Sequence, residues 1–211
     1  MTTVQGAAID VPDDRKHHTV CGESGAKSRY SGVSFGARDC EAMSVPELYW
    51  VTDVEPHRLA LMPRPRGGEW LAGEVAGWQA AGVGTVVSLL EPSEVRELDL
   101  ELECSSCEAH GIQFVSLPIP DRGVPGSAAA AAALVASLVS QLRSGVAVAI
   151  HCRAGIGRTG LVAGCVLHEL GVPATNIFPA LTRARGFPVP DTPPQLEWVR
   201  QYVRESSANA L

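Results

Sequence analysis

The sequence predicts an α/β domain with a mainly parallel central sheet and helices on both faces. Two observations carry this. From about residue 45 onward, short apolar runs alternate with segments of helical spacing. The runs Val83 to Leu90 and Val146 to Ile150 are apolar nearly throughout, as strands covered on both faces must be. Glycine and proline then punctuate the alternation, with Gly82 and Gly111 as stops and Pro92 as a start.

Residues 1–44 are rich in Gly, Ser and charge and show little periodicity, so they read as a flexible leader before a domain at 45–211. Leu48 to Thr52 and Arg58 to Met62 are two short strands, a plausible antiparallel start. Glu69 to Ala81 has helical spacing, with Trp70, Leu71, Val75 and Trp78 on or near one face. Val83 to Leu90 is a strand, Pro92 to His110 a Glu- and Leu-rich helix, and Ile112 to Leu117 the next strand. An alanine-rich helix, Ser127 to Leu142, leads to the strand Val146 to Ile150. A helix runs from Leu161 to Leu170, and two more, about 173–184 and 193–205, close the chain. No internal repeat and no second domain is evident.

At 211 residues the chain suits one core, and 45% hydrophobic content is ordinary for a globular protein. The net charge of −6 supplies no basic field for nucleic acid or anionic membrane, and no run is long enough to span a bilayer. Arginines nevertheless gather in or beside the predicted loops, among them Arg64, Arg122, Arg153 and Arg183. Six cysteines occur without an opening secretory segment, which points to a reduced, cytoplasmic setting rather than structural disulfides. Cys104 and Cys107 have C-x-x-C spacing but no second pair, so neither zinc nor redox chemistry is expected of them. His17-His18 reads as solvated.

The most informative segment is His151-Cys152-Arg153-Ala154-Gly155-Ile156-Gly157-Arg158-Thr159-Gly160. A predicted strand leads in and a predicted helix leads out. A thiol opens the turn and a guanidinium closes it. The N–H groups and dipole of a helix N-terminus favour an anion, and the same field favours thiolate over thiol at Cys152. The backbone of residues 153–158, meaning Arg153, Ala154, Gly155, Ile156, Gly157 and Arg158, can line a cradle for phosphate oxygens. Arg158 can add a bidentate grip that a lysine cannot copy.

These residues match His-Cys-x-x-Gly-x-x-Arg followed by Thr or Ser. The segment therefore resembles the signature of the cysteine-dependent protein tyrosine phosphatase superfamily. Over roughly 45–205 the chain looks most similar to the small dual-specificity group. The resemblance implies the phosphatase-like fold and hydrolysis of phosphoric monoesters through a phosphocysteine on Cys152, without metal or cofactor. Thr159 then bonds the sulfur and helps it leave. His151 orders the loop through backbone contacts or is simply a satisfied core histidine.

A general acid must protonate the departing oxygen. Asp121, just past the end of a strand in a Pro- and Gly-rich loop, is the candidate, and an aspartate at this place is the acid in the resembled family. The resemblance also suggests that Gln195 positions the hydrolytic water. Asp191 or Thr192 is read as the cap of the final helix, with Pro193 and Pro194 in its first turn. The expected partner is a phosphorylated protein or peptide, bearing phosphotyrosine and also phosphoserine or phosphothreonine, because the short chain implies a shallow cleft. Arg29-Tyr30 is a chance likeness to the loop that deepens tyrosine-only pockets. Phosphoinositide and RNA 5′-phosphates stay open as substrates, as does a phospho-binding module without turnover. The sequence leaves the oligomeric state unspecified.

Overall fold

A computed structural model describes residues 46–209. The leader, with Cys21, Cys40, His17-His18 and Arg29-Tyr30, lies outside the described residues.

Five strands form one sheet. They are β1 (Tyr49–Trp50), β2 (Leu59–Met62), β3 (Val83–Ser88), β4 (Gln113–Ser116) and β5 (Ala147–His151), in the order β1-β2-β5-β3-β4. β2, β5, β3 and β4 run parallel, and only β1 is antiparallel, to β2. β5 therefore lies at the centre, paired on both sides. Its burial is complete, as its run of Ala, Val and Ile requires.

Side-chain alternation along β5 divides the core. Val148 and Ile150 point into the larger cluster, with Leu134, Leu138, Leu161, Val166, Leu181 and Val199. That cluster lies under α4 (Ala128–Arg143), α5 (Gly157–Glu169), α6 (Ile177–Arg185) and α7 (Pro193–Asn209). Ala149 points to the opposite face, with Leu71, Val75 and Trp78 of α1 (Leu71–Ala80). The helices thus cover both faces. None of those described is long and apolar enough to cross a membrane.

The predicted helix over 92–110 is two helices, α2 (Pro92–Glu97) and α3 (Glu103–Ala109). Asp99 adopts φ 53° between them. The break allows Leu100 to be buried to 1% exposure, and the Asp99 carbonyl accepts a bond from Gly68 N at 3.0 Å. A hydrophobic count along the sequence does not register this docking of a distant loop. α2 itself opens with a reciprocal capping box between Glu91 and Glu94, and Pro92 stands in its first turn.

Two other boundaries move. α5 begins at Gly157 rather than at Leu161, so Arg158 and Thr159 sit within its first turn. α6 begins at Ile177, with Pro173 to Asn176 forming a separate turn.

Candidate active site

Strand β5 ends at His151 and Cys152 follows directly, 3% exposed at the floor of a recess of about 290 Å³. The backbone then curls through residues 153–156 into α5. The curl needs Gly155, whose φ is +68°; a Cβ there would stand 2.3 Å from the Met62 carbonyl oxygen at the end of β2. Two further contacts hold the loop from outside. Arg64 N donates to the Arg153 carbonyl, and Arg185 of α6 donates to the carbonyls of Gly155 (3.2 Å) and Ala154 (2.9 Å). Arg185 is itself braced against the rings of Tyr49 and Phe187. With these two carbonyls engaged by the arginine, the neighbouring amides are left for an anion.

Arg158 is 2% exposed, and its guanidinium is held by several hydrogen bonds. Its Nη1 donates to Glu94 Oε2 at 2.5 Å and its Nη2 to Glu94 Oε1 at 2.9 Å, a bidentate pair. Nη1 also donates to the Ile119 carbonyl at 3.0 Å. Burial opposes the guanidinium's charge, but the Glu94 bonds and the neighbouring Cys152, Glu94 and Asp121 more than offset it. The Arg158 bond in turn holds the Glu94 carboxyl below the usual carboxylate range, against the cost of its burial.

Nη2 makes one more contact, to Asp121 Oδ1 at 3.0 Å. Asp121 follows β4 in the tight turn Pro120–Gly123, closed by Gly123 N donating to the Pro120 carbonyl at 2.8 Å. Arg122 in that turn has φ 56°. The Asp121 side chain is 59% exposed, in contrast to its buried partner.

The turn is latched to the start of α7. Gln195 Nε2 donates to the Gly123 carbonyl at 3.0 Å, and Thr192 Oγ1 donates to that of Arg122 at 3.3 Å. Thr192 and Gln195 also cap α7 reciprocally. Thr192 N donates to Gln195 Oε1 and Gln195 N to Thr192 Oγ1, with Pro193 and Pro194 between them. Arg122 and Asp191 add an exposed ion pair at 3.4 Å.

One recess therefore gathers Cys152, Arg153, Ala154, Ile156, Gly157, Arg158, Asp121 and Gln195. These come from segments separated by up to 74 positions, Asp121 to Gln195. Gly155 supports the recess from behind. Arg153 leans away at its rim, to Glu97 at 2.5 Å. Thr159 Oγ1 is fully buried and makes no hydrogen bond, so no bond to the sulfur is formed here. The expected backbone contacts of His151 are also absent from its ring, whose Nε2 lies 2.9 Å from Glu103 Oε1.

Burial, then the nearby Glu103 and Glu108, push the Cys107 thiol up to about 12, and burial pushes Cys165 upward as well. Both are free thiols, whereas Cys104 is disulfide-bonded. The expectation of no structural disulfide therefore fails at Cys104, and its C-x-x-C neighbour Cys107 takes no part in that bond.

Sequence reasoning missed Glu94 and Glu103, and it placed Arg185 only among the loop arginines, without its hold on the Cys152 loop. Glu94 looked like one of several acids on an exposed helical face. Its signal was faint: an acidic residue three positions after a possible N-cap, Glu91, in a segment that starts with proline.

The family model described as polymorphic toxin system, DSP-PTPase phosphatase matches residues 61–171. That span runs from β2 through the Cys152 loop to the end of α5. No curated protein matches the chain. Among solved structures, kinase associated phosphatase with its catalytic-site cysteine changed to serine superposes with a TM-score of 0.70 at 20% identity, covering 78% of this chain and 98% of that one. Tk-PTP in the active form gives 0.59 at 24% identity, covering 75% and 97%. PTPMT1 in complex with PI(5)P gives 0.61 at 20%, covering 72% and 94%. At these identities the likeness is one of fold.

Proposed function

Because the chain belongs to the family of polymorphic toxin system DSP-PTPase phosphatases, we propose that it hydrolyses phosphoprotein monoesters through a phosphocysteine on Cys152. One observation carries the reading. A buried arginine at the mouth of the Cys152 loop contacts both a structural acid, Glu94, and an exposed one, Asp121.

The roles follow from that placement. The amides of residues 153–158 and the Arg158 guanidinium take the phosphate oxygens. Glu94 keeps the guanidinium oriented while Asp121 gives up its contact. The Cys152 thiolate attacks phosphorus as the bond to the leaving oxygen breaks, and Asp121 delivers a proton to that oxygen. In the second step water attacks phosphorus, its proton passes to Asp121, and the thiolate leaves with the Thr159 hydroxyl as donor. Gln195 positions that water from the latched start of α7. No metal enters the scheme.

Phosphotyrosine, with phosphoserine and phosphothreonine, is the proposed substrate class. A phosphoinositide is the second reading, prompted by the fold shared with PTPMT1 bound to PI(5)P. It fits the rim less well, since the basic side chain at the loop's variable positions, Arg153, is already engaged by Glu97. A cytoplasmic setting is proposed for the Cys152 thiolate, and the Cys104 disulfide is the observation that counts against it.

Hydrolysis of a small aryl phosphate without added metal, blocked by vanadate and abolished by Cys152→Ser, tests the chemistry. Phosphopeptides, phosphoinositides and 5′-phosphorylated RNA assayed side by side test the class. A Cys152→Ser protein that turns over as fast as the parent refutes the mechanism, and preference for a phosphoinositide refutes the substrate.

A further inference from the structure

Glu103 opens α3 and His151 closes β5. Both side chains are sealed from water, at 2% and 0% exposure, with Nε2 and Oε1 2.9 Å apart. The approach lies off the line of a directed hydrogen bond, and no other group donates to either carboxylate oxygen. Ser88 stands opposite His151 in the β3–β5 register, its hydroxyl also buried and without a hydrogen bond, and Leu90 and Leu100 line the same recess as Glu103. A carboxylate buried this way is costly without a partner, and the imidazole is the partner within reach.

We propose that Glu103 is a positioning residue that holds the His151 ring with a proton on Nε2, and through it the start of the loop carrying Cys152. The inference rests on the phosphatase reading of that loop. His151 follows Ala149 by two strand positions, so its ring lies on the α1 and α3 face of the sheet, while Cys152 joins the opposite core. The ring is thus a peg driven through the end of the central strand, and Glu103 fixes its tip. Only a proton on Nε2 lets the ring donate toward that carboxylate. The His151 carbonyl accepts from Leu89 N at 3.0 Å, which ties the same point to the segment that also faces Arg158. An apolar residue at 103 would fill the space but could not select one ring orientation.

A double-mutant cycle tests this, read on the rate of Cys152 alkylation by iodoacetamide at a fixed neutral pH and on kcat for an aryl phosphate. Glu103→Gln is expected to lower both by about tenfold, well below its melting temperature, with Glu103→Asp recovering part of the loss. In a His151→Asn background, Glu103→Gln should have no further effect. Additive losses, or unchanged rates in Glu103→Gln, overturn the proposal. Ring ¹⁵N shifts in the unsubstituted protein need no variant to fold. A proton on Nε2 supports the pairing, and protonation at Nδ1 alone overturns it. Alkylation requires no turnover, so a protein inactive on aryl phosphate would refute the enzymatic reading while leaving this one still under test.

Discussion

Arg158 Nη2 stands 3.0 Å from Asp121 Oδ1, joining a guanidinium that is 2% exposed to a carboxylate that is 59% exposed. The asymmetry has a mechanical meaning. Arg158 is fixed by Glu94 and by main-chain carbonyls, so Asp121 is the member of the pair that is free to move. In the proposed mechanism, a phosphate arriving at Arg158 competes for Nη2 and releases the carboxyl toward the leaving oxygen.

Asp121→Asn removes the proposed proton source while keeping the side chain's size. Hydrolysis of alkyl and phenyl phosphates should slow by about a hundredfold or more. Aryl phosphates with good leaving groups, which need little protonation, should lose much less. Rates measured across a leaving-group series decide it, and an equal loss throughout would remove Asp121 from the role of acid.

Glu94→Gln leaves Arg158 buried with one neutral acceptor in place of a carboxylate. Breaking a buried pair of this kind costs about 3–5 kcal/mol. Vanadate affinity and kcat/KM should both fall, and chemical denaturation should report the lost stability. Retained vanadate affinity would mean that the guanidinium needs no anchor.

Gly155→Ala places a Cβ 2.3 Å from the Met62 carbonyl oxygen at a φ of +68°. Backbone strain of this type costs about 1–3 kcal/mol before the clash is counted. The loop must move off the end of β2, so vanadate binding should be lost even if the domain still folds. Circular dichroism alongside equilibrium binding separates the two effects.

Cys107 supplies a pH dependence whose sign can be worked out. Its thiol titrates near 12 in the folded protein, against an ordinary value of 9.0. Between those values the folded state holds a proton that the unfolded chain has lost. Its contribution is complete below about pH 9 and is lost as pH rises toward 12. Denaturation midpoints followed from about pH 8.5 to about 10.5 should therefore fall more steeply for the parent than for Cys107→Ala. Parallel slopes would show that this thiol is not withheld from ionisation.

Much of the sheet was legible in the chain because its central strands are covered on both faces and so are apolar throughout. β5 and β3 are the examples, and Cys152 and Arg158 could be read because their spacing lies within one continuous loop. The division of 92–110 into α2 and α3 was not legible. It depends on the Gly67-Gly68 backbone docking against Asp99, a contact between segments about thirty positions apart. Glu94 was hidden for the same reason: its sequence neighbours are exposed acids, and only the fold turns this one inward.

By itself, then, the sequence determined the alternation of strands and helices, the Cys152 loop at the end of a buried strand, and the turn of Asp121 after another. Local rules suffice for these, because periodicity, glycine conformation and helix-start chemistry act over a few residues. Tertiary structure alone decided which charges meet: Arg158 with Glu94 and Asp121, Gln195 with the acid turn, His151 with Glu103. Such pairings depend on distances across the sheet edge. Electrostatic contact falls off over a few ångströms, a scale that residue order does not encode.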